Sequence, residues 1–317
     1  MFPRFLREGR DCDLILLAEF CPTLTPLAWL LGRLTRKPVV FDYLISYYEA
    51  NIHERKRHQP RSLAAWRYLW LDRISGRLPD ALIVQTEAFA RYLQEQIHLD
   101  PARFIITPLG VNDDLFHPIE KDAPEPLRDK LVILYFGNYI PNHGVDVILD
   151  AAALLRDDRR FWFRFIGDGE RKAAAQAQAD RLALDNVEFL PRVPFAELPR
   201  ELDRADMILG VFGDTPQARQ HMANKVTQGL AMRKFVLAGD TPSIHEHFTD
   251  RVHLWLVPLG DAQALADALR EVSDLPGQRE QIARQGYEAY RATLTPAVIG
   301  ARLKADLEAV LAAFRTR

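Results

Sequence analysis

Short apolar, β-branched runs alternate along this chain with segments of helical period, and the alternation comes in two series. The first has strand-like runs at 13–17, 38–41, 81–85 and 104–108, separated by helical segments at 25–34, 62–77 and 87–96. The second has runs at 131–136, 161–166, 187–190, 207–211 and 235–238. Helical segments at 145–155, 170–182, 198–205 and 224–232 separate them, and three more follow at 262–273, 277–291 and 295–314. Continuously apolar strands joined through helices are buried on both faces, so each series predicts a parallel sheet in an α/β domain. Between the series, residues 117–126 are polar and carry three prolines, which predicts a linker at 118–126. A length of 317 residues suits two domains, here 1–117 and 127–294, with a final helical segment at 295–317.

Composition narrows the class of protein. Hydrophobic residues make up 48% and charged residues 26%, as in ordinary globular chains. A formal charge of −2 gives no global attraction to nucleic acid. The two cysteines, Cys12 and Cys21, are too few for a disulfide framework or a closed metal site, and a reducing, cytoplasmic setting is expected. The first residues lack the apolar core of a signal peptide. The most apolar stretch, 14–34, holds Glu19 and two prolines and reads as strand, turn and helix rather than a membrane span.

The joints between strands and helices carry the chemistry. In a doubly wound sheet, ligands sit at the carboxyl ends of strands, where glycines let a backbone approach and helix starts offer free N–H groups. Gly137-Asn138, closed by His143-Gly144, is one such joint, with Asn142 as the expected N-cap of the next helix. Gly167-Asp168-Gly169 is another. Each glycine taken singly is equally explained by a tight turn.

The order of the joints is more specific. Gly137-Asn138 with His143-Gly144 is followed by Phe165-Ile166-Gly167-Asp168-Gly169 and Asn186-Val187-Glu188-Phe189-Leu190. Then come Asn224-Lys225-Val226-Thr227-Gln228-Gly229-Leu230-Ala231 and Phe235-Val236-Leu237-Ala238-Gly239-Asp240. This series resembles the donor-binding domain of GT-B glycosyltransferases, specifically retaining family 4 (glycosyl transferases group 1). Thr107-Pro108-Leu109-Gly110-Val111-Asn112 looks like that family's passage into its linker, and the likeness spans roughly residues 13–315. It implies two Rossmann-like domains facing a cleft, with the last helix packing back on the first. It also implies metal-independent transfer of a hexose-type sugar from a nucleotide sugar to a glycan or lipid-linked acceptor, with no cofactor. No Asp-x-Asp metal motif stands where a manganese-dependent enzyme would need one.

Carried over by position, the donor side comprises Gly137, Asn138, His143, Gly144, Gly167, Asp168, Gly169, Val193, Lys225 and Gln228, with Gln220 placed near the reacting sugar. The chain departs from the family here. Asn138 and His143 stand where the family presents arginine and lysine to the diphosphate. Gln220 and Gln228 replace its two spaced glutamates. An amide oxygen keeps the hydrogen bonds but loses charge assistance, on the order of 1 kcal/mol each. The diphosphate must then be met by a helix start, His143 and Lys225. A histidine drawn upward by phosphate predicts donor affinity that weakens as pH rises past neutral.

In the first series, Asp42 ends the strand 38–41 where the family places a group near the reacting sugar. A carboxylate there stabilises positive charge at the anomeric carbon; capping the next helix is its plain alternative. Thr86 and Glu87 are second candidates. The chain begins where the family is already in a middle strand, so the first domain is expected to be incomplete or the start of the reading frame late. Residues 51–80 are basic and carry Trp66, Tyr68 and Trp70, which suits peripheral contact with an anionic membrane or an ordinary solvated face. The rival reading is a catalytically silent GT-B protein that binds a nucleotide sugar or a partner enzyme. A GT-B-shaped epimerase has no specific motif here.

Overall fold

The computed structural model describes residues 9, 11–119 and 129–316. The chain divides into two compact units, Met1–Pro108 with Gly300–Arg317, and Leu109–Ile299.

In the first unit β1 (Ile15–Leu17), β2 (Val39–Asp42), β3 (Ala81–Val84) and β4 (Phe104–Ile106) lie parallel in chain order. Right-handed crossovers between neighbouring parallel strands place every connecting helix on one face. These helices are α1 (Thr25–Thr35), α2 (Leu63–Arg77) and α3 (Glu87–Tyr92). On their side, Phe41, Leu82 and Val84 pack with Leu69, Phe89 and Leu93. On the other side, Val40, Ala81, Ile83 and Ile105 pack against Leu303, Leu307 and Val310 of the last helix, Pro296–Arg315. The strands are apolar at every position because both faces are covered.

The division falls earlier than the prolines suggest. Val111 and Phe116 are buried in the second unit's core, and Ile119 packs against it, so 109–117 belong there rather than to the first domain. The apolar side chains around the glycine passage, not the polar run after it, decide the boundary. Most of the expected linker 118–126 lies outside the described residues.

The second unit is a six-stranded parallel sheet of order β10-β9-β8-β5-β6-β7. Its strands are β5 (Leu131–Asn138), β6 (Phe161–Asp168), β7 (Val187–Leu190), β8 (Met207–Leu209), β9 (Phe235–Gly239) and β10 (Trp255–Val257). Its helices are α4 (Val145–Leu154), α5 (Lys172–Arg181), α6 (Leu198–Asp203), α7 (Pro216–Gln220), α8 (Asn224–Ala231), α9 (Pro242–His245), α10 (Ala262–Ser273) and α11 (Pro276–Thr293). Along β5 the side chains alternate between two cores. Ile133 and Tyr135 join one; Val132, Leu134 and Phe136 join the other. Each such burial stabilises by roughly 1.5–3 kcal/mol, and this central strand anchors the site at its carboxyl end.

That end needs glycine. Gly167 has φ +138°, and a methyl there would lie 2.0 Å from the Gly137 carbonyl oxygen. Gly167→Ala is therefore expected to destabilise by on the order of 2 kcal/mol or more, read as a fall of several degrees in Tm. An unchanged Tm would mean that the β5–β6 edge is loosely set.

Candidate functional site

From β5 the chain winds outward through β6 and β7, then returns to place β8 on the other side of β5 and winds the opposite way. The strand order reverses between β5 and β8. Open α/β sheets offer their ligand crevice at the carboxyl edge of such a reversal. Here the two loops leaving that edge are tied together. Phe212 N donates to His143 O at 3.1 Å, and Gly213 N donates to Asn142 O at 3.2 Å. A Cβ on Gly144 would lie 2.3 Å from Gly213 N, and Gly144 has φ +63°. The glycine of the His143-Gly144 pair is thus required by a close backbone approach.

Lys225, in the first turn of α8, reaches this joint and is only 4% exposed. Its Nζ lies 3.2 Å from His143 Nδ1 and 4.1 Å from the centre of the Tyr135 ring. It also lies 3.4 Å from where a Cβ on Gly137 would stand, in van der Waals reach of that position. Among the described residues no carboxylate pairs with it. Burial lowers the Lys225 pKa well below the ordinary lysine value. The Lys225 side-chain nitrogen thus approaches His143 Nδ1. Tyr135 Oη, 2.8 Å from the same nitrogen, donates to Asn138 O at 2.7 Å.

The electrostatic setting of His143 follows from this arrangement. Burial, and then the Lys225 cation, push its pKa well below the ordinary histidine value. Burial thus holds both basic groups of the joint, His143 and Lys225, towards their neutral forms in the free protein. The Asn142 expectation is corrected. Gly144 occupies the N-cap of α4 without a side-chain cap, and Asn142 Oδ1 has no hydrogen-bond partner.

The other candidates fall at varying distances from this pair. Asn138 ends β5 in register with Asp168, and Asp168 Oδ1 accepts from Gly169 N at 2.8 Å. Gly169 passes so close to Tyr139 that a Cβ would lie 2.4 Å from its nitrogen. Gln220 is buried at the end of α7, beside the turn 141–143, and Gln228 is buried one helical turn beyond Lys225. Neither side chain bonds Lys225 or His143. Val193 packs against the core that holds Leu190 and Phe116. Two residues were not legible as site residues. They are Tyr135, in the apolar run of β5, and Lys172, at the start of α5. Lys172 Nζ donates to Gly167 O at 2.7 Å and lies 5.9 Å from the Tyr139 ring, a second cation at the glycine edge.

In the first unit, Asp42 stands at the carboxyl end of β2, and the next helical turn is capped by Ser46 instead, whose Oγ accepts from Glu49 N at 3.0 Å. Burial, and then the Glu19 carboxylate beyond β1, raise its pKa above the ordinary aspartate value. Thr86 is a structural cap, accepting from Phe89 N at 3.0 Å.

Comparisons with known proteins are consistent with this geometry. Residues 118–289, more than half of the chain, match the family model described as "Glycosyl transferases group 1". The chain belongs to the glycosyl transferases group 1 family. Residues 2–110 match a second model, "Glycosyl transferase 4-like domain". The chain is 29% identical over 210 residues to the amylovoran biosynthesis glycosyltransferase AmsK of Erwinia amylovora, covering 64% of this chain and 46% of that protein. It is 23% identical to the alpha-D-kanosaminyltransferase of Streptomyces kanamyceticus, covering 68% and 56% respectively. The chain thus spans about half the length of these curated relatives. Among solved structures, Anabaena Alr3699/HepE in complex with UDP-glucose superposes with a TM-score of 0.75 at 15% identity, over 97% of this chain and 81% of that one. Sucrose-phosphate synthase from Thermosynechococcus elongatus gives 0.78 at 18%, over 98% and 76%. The fold is GT-B, an α/β architecture of two Rossmann-like domains.

Proposed function

We propose that this group 1 glycosyltransferase moves a hexose-type sugar, with retention of configuration, from a nucleotide-sugar donor to a glycan or lipid-linked acceptor. The observation that carries the reading is the buried Lys225 side chain, without a carboxylate partner among the described residues, beside Gly137 at the reversal of strand order. A buried cation without a counter-ion is costly unless an anion arrives to meet it. A sugar diphosphate is such an anion, and the relative solved with UDP-glucose supports the choice. Lys225, Lys172 and main-chain amides supply the positive charge in this reading, so no metal ion is needed. Transfer should be unchanged by EDTA.

The pH dependence separates Lys225 from His143. Burial lowers the Lys225 pKa in the free protein, and a bound phosphate raises it again. Donor affinity therefore falls as pH rises through the free ammonium's pKa. Calorimetry with UDP-glucose between pH 6 and 9 should show that decline in the wild type and in His143→Gln, and a flat, weak response in Lys225→Gln. A slope that vanishes with His143 instead would return the cation's role to the imidazole. Within the same reading Asp42 stabilises the positive charge at the anomeric carbon. Asp42→Asn should lower kcat by roughly 10²-fold or more with little change in KM. Equal kcat would remove Asp42 from the chemistry.

A further inference from the structure

α1 and α2 lie side by side on one face of the first sheet, and their inward sides are filled as expected by Ala28 and Leu31 and by Ala65, Ser75 and Gly76. Their outward sides are not polar. On α2 Leu63, Trp66, Trp70 and Ile74 are all exposed, at a spacing that places them along one helical stripe. On α1 Leu27, Leu30 and Leu34 form a second exposed stripe, with Leu24 just before the helix. Trp66 and Trp70 lie with ring centres 5.6 Å apart, so the indoles form one continuous apolar patch. Soluble surfaces rarely leave contiguous patches of this kind unpartnered.

The charges around the stripes have one sign. α1 carries Arg33 and no acid. α2 carries Arg67, Arg73 and Arg77, and its single acid, Asp72, is buried and accepts from Ser46 Oγ at 2.6 Å. Arg36 and Arg61, at the ends of the two helices, are exposed as well. Every charged side chain that α1 and α2 show to solvent is therefore an arginine. Arg67 and Arg77 share the helical face of the tryptophans. Arg33 pairs with the largely buried Asp80 at 3.8 Å; apolar anchors with aromatic rings, set among exposed guanidinium groups, complement a bilayer whose head groups are anionic. A protein partner would need a matching acidic rim, and a second copy of this surface would set arginine against arginine. No described helix is long and apolar enough to cross a membrane.

We infer that the outward face of α1 and α2 docks the protein on an anionic lipid bilayer, with Trp66 and Trp70 entering the head-group region and the arginines holding the lipid charge. This surface stands independently of the donor reading, since none of its residues belongs to the Lys225 joint.

The test is co-sedimentation of the full chain with large vesicles of phosphatidylcholine alone, or mixed equally with phosphatidylglycerol. Binding to the anionic vesicles is expected at least tenfold tighter, weakening strongly between 50 and 500 mM NaCl because surface charge is screened within about 10 Å at 0.1 M salt. Trp66→Ala with Trp70→Ala, and separately Arg61→Glu with Arg67→Glu, should each reduce binding at least tenfold. Their Tm should stay near that of the wild type because all four side chains are exposed. Equal binding to both vesicle types, or no binding to either, overturns the inference. So does a concentration-dependent dimer in analytical ultracentrifugation that the tryptophan pair abolishes.

Discussion

Lys225→Met is expected to make the protein more stable and its donor site ineffective. The methionine keeps the length of the stem and removes an ammonium that lies 4% exposed without a carboxylate partner. Replacing an uncompensated buried charge by an apolar group of similar volume stabilises by on the order of 1–3 kcal/mol. The linkage sign agrees. Burial lowers the folded-state pKa of Lys225, so over the interval between that value and the ordinary lysine pKa the unfolded chain binds more protons. The contribution of Lys225 to folding stability therefore rises with pH across that interval, and Lys225→Met should lose that contribution. Thermal unfolding between pH 6 and 9, alongside calorimetry with UDP-glucose, measures both effects. The expected result is a higher Tm at pH 7 and an affinity reduced by 10²-fold or more, since a charge-assisted contact to phosphate is lost. A variant that is stabilised yet binds the donor normally would show that Lys225 serves some other anion or none.

The second large effect concerns Glu49, in the first unit. Residues 49–54 form a π-helical turn, and Glu49 is 1% exposed with Oε1 unpartnered. Burial, and then the neighbouring Glu54 carboxylate, raise its pKa to about 8, with Arg55 opposing and Asp72 adding to the rise. Tyr92, packed against the same cluster, is raised too, chiefly by burial. Asp72 accepts from Ser46 Oγ, Tyr47 N and Tyr48 N, yet burial still holds it at about 6. For these acids the folded state holds its protons more tightly than the unfolded chain. Their contribution to stability is therefore greatest at low pH and falls as pH rises from the ordinary glutamate value, near 4.5, towards 8. Between pH 5 and 8 Glu49 alone accounts for a loss on the order of 3 kcal/mol. Glu49→Gln keeps the shape without the ionisation, so it should flatten this slope and raise the urea midpoint at pH 8. If wild type and variant follow the same pH curve, the carboxyl is already satisfied in its neutral and ionised forms alike.

The strands were legible in the sequence because both faces of each sheet are covered, which leaves nearly unbroken apolar runs such as 131–136. The glycines were legible as joints for a physical reason that the structure supplies, since the backbones at Gly144 and Gly167 approach too closely for any Cβ. What escaped was electrostatic. Histidine in a phosphate-type loop reads as a cation, and only the fold reveals that burial, and then Lys225 beside its nitrogen, push its pKa down. Lys172 escaped for a related reason, because a basic residue early in a polar helix carries no mark of which carbonyl it will reach. The short elements also escaped. Trp255–Val257 and Pro216–Gln220 are too brief to show a period, and their places are set by packing. The boundary at 108 rather than 117 was misplaced because prolines attract attention while Val111 and Phe116 decide the matter.

The covering of Val40, Ile83 and Ile105 by Leu303, Leu307 and Val310 has a consequence for biosynthesis. These partners are translated roughly 200 residues after the strands they shield, at a ribosomal pace of about 5–20 residues per second. For some tens of seconds the nascent amino-terminal sheet has one greasy side bare, while Leu109–Ile299 is continuous and can finish first. A chaperone that holds exposed strands would therefore meet this polypeptide early and be released only when the closing helix leaves the exit tunnel.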